Sequence, residues 1–135
     1  AMSNVVVTVN SNTAVGNAAI TGAFSYNTSQ IWASNTVTTG TSSQVIDYFT
    51  KTTFRTAEYI LSVNDNNANS HFASKAIVTH DGTNGYISEF AIIQSNSAAT
   101  MGVFSVSANT SSIILNYTPA STNTTVNFNR ILVSV

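Results

Sequence analysis

Phe54–Val63 (FRTAEYILSV) and His71–Ile93 (HFASKAIVTHDGTNGYISEFAII) hold the clearest alternation of apolar and polar residues in the chain. In the first, Arg55, Ala57, Tyr59, Leu61 and Val63 share one face if side chains alternate along the chain. That period of two belongs to a strand. In the second, the run ending at His80 breaks at Asp81-Gly82-Thr83-Asn84-Gly85 and resumes at Tyr86. Two glycines free to take positive φ between two alternating runs predict a hairpin. Between the two stretches, Asn64–Ser70 (NDNNANS) is a loop by composition.

The hairpin can be stated pair by pair. With Asp81–Gly85 as the loop, His80 faces Tyr86, Thr79 faces Ile87, Ile77 faces Glu89 and Lys75 faces Ala91. Lys75 and Glu89 then become diagonal neighbours on one face and form a register-setting charge pair. Phe72, Ala76, Val78, Tyr86, Phe90 and Ile92 fall on the other face, assigned to the core.

Outward from this centre the same period recurs. Val45–Phe49, Gly102–Ala108, Ser111–Thr118 and Thr125–Val135 read as strands, with Pro119, the only proline, at a strand end. Toward the N-terminus Val5–Val9, Ala18–Tyr26 and Gln30–Ala33 are further candidates. Ala14–Ile20 has some helical propensity, but Gly16 and Asn17 interrupt it. Ser34–Ser43 (SNTVTTGTSS) is polar and reads as a linker or an extended strap, and Asn96–Thr100 as a turn. Strands at roughly 8–12-residue spacing predict an all-β, antiparallel sandwich of jelly-roll type. We expect one domain over residues 1–135, with 1–43 as its N-terminal strands or strap.

Composition narrows the function. Only 7% of the 135 residues are charged and the net charge is −1, against about 25% charged in ordinary soluble domains. Asn, Ser and Thr fill roughly two-fifths of the positions. Two lysines and two arginines cannot supply the basic stripe that phosphate backbones require, which excludes nucleic acid as a partner. No apolar run approaches the ~20 residues of a helical membrane span, and no signal peptide is visible. Without cysteine there is neither a disulfide nor a thiolate metal site. So little surface charge offers weak repulsion between copies and favours homo-oligomers.

Six pieces of the chain suggest a family: QVIDYF (Gln44–Phe49), FRTAEYILSV (Phe54–Val63), VTHDGTNGYISEF (Val78–Phe90), MGVFSVSA (Met101–Ala108), ILNYTPAS (Ile114–Ser121) and VNFNRILV (Val126–Val133). Together they resemble a domain, often repeated, in virion structural proteins of contractile-tailed marine phages, chiefly cyanophages. The resemblance covers residues 44–135 and implies a non-enzymatic fibre, neck, baseplate or capsid-surface element. Such a protein assembles in the host cytoplasm, resides in the virion, and has copies of itself and other virion proteins as partners. The appendages of this family point to a trimer. The resemblance brings no catalytic residues and no cofactor.

His71 and His80 lie nine positions apart, on opposite faces of one strand, and Asp81 suits a turn better than a catalytic relay. Asp65, Asn67 and Asn69 open like a calcium loop, but Ser70 and Ala76 occupy the positions of its glycine and bidentate glutamate. The Asn-x-Ser/Thr sequons at Asn27, Asn109, Asn116 and Asn123 match what this composition yields by chance. No metal or catalytic site is therefore expected. Among the aromatics, Trp32 is the candidate ligand contact for a host-surface glycan, because it lies in the weakly patterned third of the chain. Arg130 shares a face with Phe128 and Leu132, and Arg55 with Tyr59 and Leu61. A cation on an apolar face needs an anionic partner, and Glu89 is one candidate for either. Two functions follow from different classes: an oligomerising virion scaffold, and a carbohydrate-binding or host-adhesion module.

Overall fold

The computed structural model describes residues 21–96 and 100–135. The readings over Val5–Val9 and Ala14–Ile20, and the middle of the Asn96–Thr100 turn, lie outside the described residues. The described elements are all strands: β1 (Phe24–Tyr26), β2 (Ser29–Thr38), β3 (Gln44–Thr50), β4 (Phe54–Asp65), β5 (Ser70–His80), β6 (Gly85–Gln94), β7 (Gly102–Ala108), β8 (Ser112–Pro119) and β9 (Thr124–Ser134). Among the described residues no helix is long and apolar enough to cross a membrane.

Two antiparallel sheets pack face to face. One runs β1-β2-β9-β4-β5-β6 and the other β3-β8-β7. The nested pairing of a jelly roll is present in its outer two rungs, β2 with β9 and β3 with β8. The innermost rung, β5 with β6, is present as well, but the one between is not: β4 pairs with β9 and β5, and β7 with β8. Alternation fills the space between the sheets. Ala57, Tyr59, Leu61 and Val63 of β4 and Val126, Phe128 and Leu132 of β9 meet Phe49 of β3, Phe104 of β7 and Ile113, Leu115 and Tyr117 of β8.

The first half of Ser34–Ser43 is strand rather than strap, since β2 continues to Thr38 along β9. Threonine is β-branched, so it suits a pleated chain despite its polarity. Thr38 is wholly buried, and its hydroxyl donates to the Thr124 carbonyl at 3.2 Å.

The hairpin register differs from the expected one by one residue. The turn has four residues, not five: Asp81 N–H donates to Asn84 O at 3.2 Å, and His80 pairs with Gly85. The Asp81 carboxylate tightens it by accepting from the N–H groups of Thr83 and Asn84 and from the Tyr86 hydroxyl, at 2.7–2.8 Å. Thr79 thus faces Tyr86 and Ala76 faces Glu89. Tyr86 and Phe90 point outward instead of into the core, and Ile92 is exposed as well, whereas Ala76 and Val78 are buried as expected. Beyond Phe90 a bulge with Ala91 at φ 54° restores the expected pairing of Ala73 with Ile93.

Gly102 begins β7 at φ 150°, a conformation that side chains avoid. A Cβ there would lie 2.4 Å from the Tyr117 hydroxyl and 2.6 Å from the Thr118 carbonyl oxygen. Gly102→Ala should therefore lower the unfolding free energy by about 2 kcal/mol, measured by urea denaturation followed by circular dichroism.

Candidate functional site

Charge is so scarce in this chain that its placement defines the most distinctive site. Arg130 lies on the inward face of β9, between Phe128 and Leu132, and is 4% exposed. Its counter-ion is Asp47 of β3, itself 5% exposed, held by a hydrogen bond from the guanidinium to Oδ2. A bulge between Val45 and Asp47 lets Gln44 and Asp47 both face inward although they lie three positions apart. The guanidinium also donates to the Tyr48 carbonyl at 3.1 Å and to Gln30 Oε1 at 2.9 Å. Tyr59 of β4 donates its hydroxyl to the same Asp47 oxygen at 2.8 Å. Burial, and then the neighbouring Asp47 carboxylate, push the Tyr59 hydroxyl pKa far above its ordinary value, so it stays a donor.

Trp32 closes this cluster from β2. Its ring lies 4.7 Å under the Arg130 guanidinium and meets Phe128 edge-on at 6.1 Å. The side chain is half-buried, with one face engaged by the cation. Trp32, Arg130, Tyr59, Ala76 and Glu89 stand opposite one another in turn, forming one inward rung across five strands.

The other charges occupy different surroundings. Lys75 and Glu89 do not pair, because the shifted register puts them on opposite faces of the hairpin. Lys75 instead reaches Glu58 of β4 at 3.5 Å, on the outward face. Glu89 points inward near the rim of the core, where burial raises its carboxyl pKa above the ordinary 4.5. Its charge adds to the burial that raises Tyr117, whose hydroxyl donates to Met101 O at 2.7 Å. Arg55 bonds to a neutral partner, donating to the His80 carbonyl at 2.9 Å.

His80 is buried and His71 exposed. His80 Nδ1 accepts from Gly82 N–H at 3.0 Å, so Nε2 carries the proton donated to Phe54 O at 2.8 Å. Asp65 accepts from the N–H groups of Asn67 and Ala68, and so ties its own turn. Among the described residues no three His, Asp or Glu side chains gather as metal ligands. The cluster's chemistry is therefore cohesive: Asp47 is sealed from solvent and shared between Arg130 and Tyr59. Asp47 is the partner that sequence reasoning missed. Its signal was an aspartate inside the otherwise apolar run QVIDYF.

No family model and no curated protein matches the chain. Among solved structures it is similar to the tailspike protein of the Acinetobacter phage vB_ApiP_P1, with 17% identity and a TM-score of 0.45. The match covers 88% of this chain and 23% of that one, so this chain spans about a quarter of the tailspike's length. At that overlap the likeness bears on neither fold nor function, and both rest on the chain's own residues.

Two predictions follow from the charges. Arg130→Met and Asp47→Leu should each remove about 3–5 kcal/mol of stability, because each strands the other charge in the core. The double variant should lose clearly less than the sum of the two, which a denaturation cycle reads directly. For Glu89, a folded pKa above the unfolded one means the native state binds the proton more tightly. The resulting stability is fully present below the ordinary pKa of 4.5 and is lost as pH rises through the folded value. Glu89→Gln should melt above the natural chain near neutral pH, with the gap closing in acid.

Proposed function

We propose that this chain is a non-enzymatic structural module of a phage virion, belonging to a tail fibre, neck, baseplate or capsid-surface element and acting as an oligomerising β-scaffold. The carrying observation is the Arg130–Asp47–Tyr59 cluster, which ties the two sheets together and leaves its charges inaccessible to a substrate. A module that bears load between neighbours needs this kind of internal bracing more than a reactive cleft. The six sequence pieces of residues 44–135 support the virion assignment, and with it residence in an extracellular particle assembled in the host cytoplasm. No cofactor is required by this role.

The second reading, a host-glycan adhesion module, draws on exposed aromatics: Tyr26 and Tyr48 are 66% and 63% exposed. Trp32 argues less for it than its place in the sequence suggested, because a cation already occupies one ring face. Immunogold electron microscopy with antibodies against the chain should decorate intact virions at a defined position. Unlabelled particles would overturn the virion assignment. Retention on a glycan array that is lost in Tyr26→Ala, while the fold persists, would instead favour adhesion.

A further inference from the structure

The outward face of the six-stranded sheet is unusual for a free surface. Ile31, Ile131, Glu58 and Ile77 stand opposite one another across β2, β9, β4 and β5. The next rung places Asn129, Ile60, Lys75 and Phe90 side by side. The four isoleucines and Phe90 are 39–53% exposed, forming an apolar field interrupted by one ion pair. Contiguous apolar surface of this kind marks a place where something docks. A shallow hollow of about 190 Å³ lies among Ile31, Ile60 and Ile131, and a second of about 260 Å³ lies beside Ile60, where Ser62, Asn127 and Asn129 line it.

We infer that this face is the contact between copies of the chain, and that its occupant is the same face of a second copy. This rests on the oligomerising-scaffold reading and names the surface it uses; a face that meets itself closes as a two-fold dimer, in place of the trimer that the resemblance implies. Three observations select a second copy over another partner. The face is electrically self-complementary: it carries one anion, Glu58, and one cation, Lys75, 3.5 Å apart. A symmetry-related copy offers Lys75 to Glu58 and Glu58 to Lys75, whereas a strongly charged partner finds no matching field. The face also has the required size. At strand spacings of ~4.8 Å and ~3.3 Å per residue it measures on the order of 900 Å², against about 800 Å² per partner in stable interfaces. Finally, its relief is self-matching, since the Ile31, Ile60 and Ile131 side chains stand beside a hollow that they themselves line, as in sheet-on-sheet packing.

The test uses the full 135-residue chain and light scattering over a wide micromolar range. The natural chain should associate. Ile131→Lys and, independently, Ile77→Lys should each weaken association by roughly 30-fold or more, the size of a hot-spot loss. Both positions are about two-fifths exposed, so circular dichroism and melting should show the variants folded. Val103→Lys, on a 60% exposed residue of the three-stranded sheet, should leave association unchanged. Glu58→Lys and Lys75→Glu chains should each associate poorly alone and recover when mixed. If Ile131→Lys and Ile77→Lys still assemble, or Val103→Lys alone dissociates, the contact lies elsewhere and the inference falls while the scaffold reading stands. A natural chain that stays monomeric overturns both the inference and the oligomerising part of that reading. Glycan retention that Ile131→Lys abolishes in a monomer would make the occupant a sugar and overturn the inference.

Discussion

The buried contact between Arg130 and Asp47 is the constraint around which the sandwich is arranged. A cation between two sheets is tolerable only when its anion approaches from the facing layer and its remaining N–H groups find acceptors. Here the anion comes from β3, while Gln30 and the Tyr48 carbonyl accept further bonds. Arg130 Nε still has no hydrogen-bond partner, so desolvation remains incompletely offset. An apolar pair of equal volume would cohere at least as well. What the ionic pair adds is specificity: sliding one sheet over the other would separate two charges in a medium that screens them poorly. This reason for keeping a buried ion pair suits a module that holds a fixed shape between neighbours.

The sheets were legible in the sequence because side-chain alternation is a local property, and β3 to β9 stand close to where the period-two runs placed them. Register was not, because it depended on a side chain rather than on a count of turn residues. The Asp81 carboxylate gathers the N–H groups of Thr83 and Asn84 and so draws Gly85 into the strand. Gly85 can enter there because it lacks a Cβ, which would lie 2.4 Å from Val106. That single residue carries Glu89 to the interior and sends Lys75 toward Glu58. The need of Arg130 for a partner was likewise readable from its apolar neighbours. The identity of that partner was a tertiary fact, fixed only when a bulge turned Asp47 inward and the second sheet brought β3 over β9.

Trp32 shows the same division between local and tertiary information. Nothing in SQIWASN forecasts its surroundings, since beyond Ile31 the neighbours are Ser, Gln, Ala and Asn and set no clear apolar face. Its place is set by strand pairing, which sets it directly opposite Arg130. A residue that composition marks as a free platform thereby becomes part of the wall around a buried charge.

The bulges and the shortness of β1 have a consequence for how sheets of this kind end. A long, regular outer strand presents a row of unpaired N–H and C=O groups that recruits further strands without limit. Among the described residues, β1 offers only three residues, β6 is broken at Ala91 and β3 beside Asp47, while β7 is a regular outer strand of seven residues. Each interruption spoils the template for open-ended, amyloid-like growth. A chain this poor in repelling charge thereby blunts three of its four outer strands through its backbone rather than its surface.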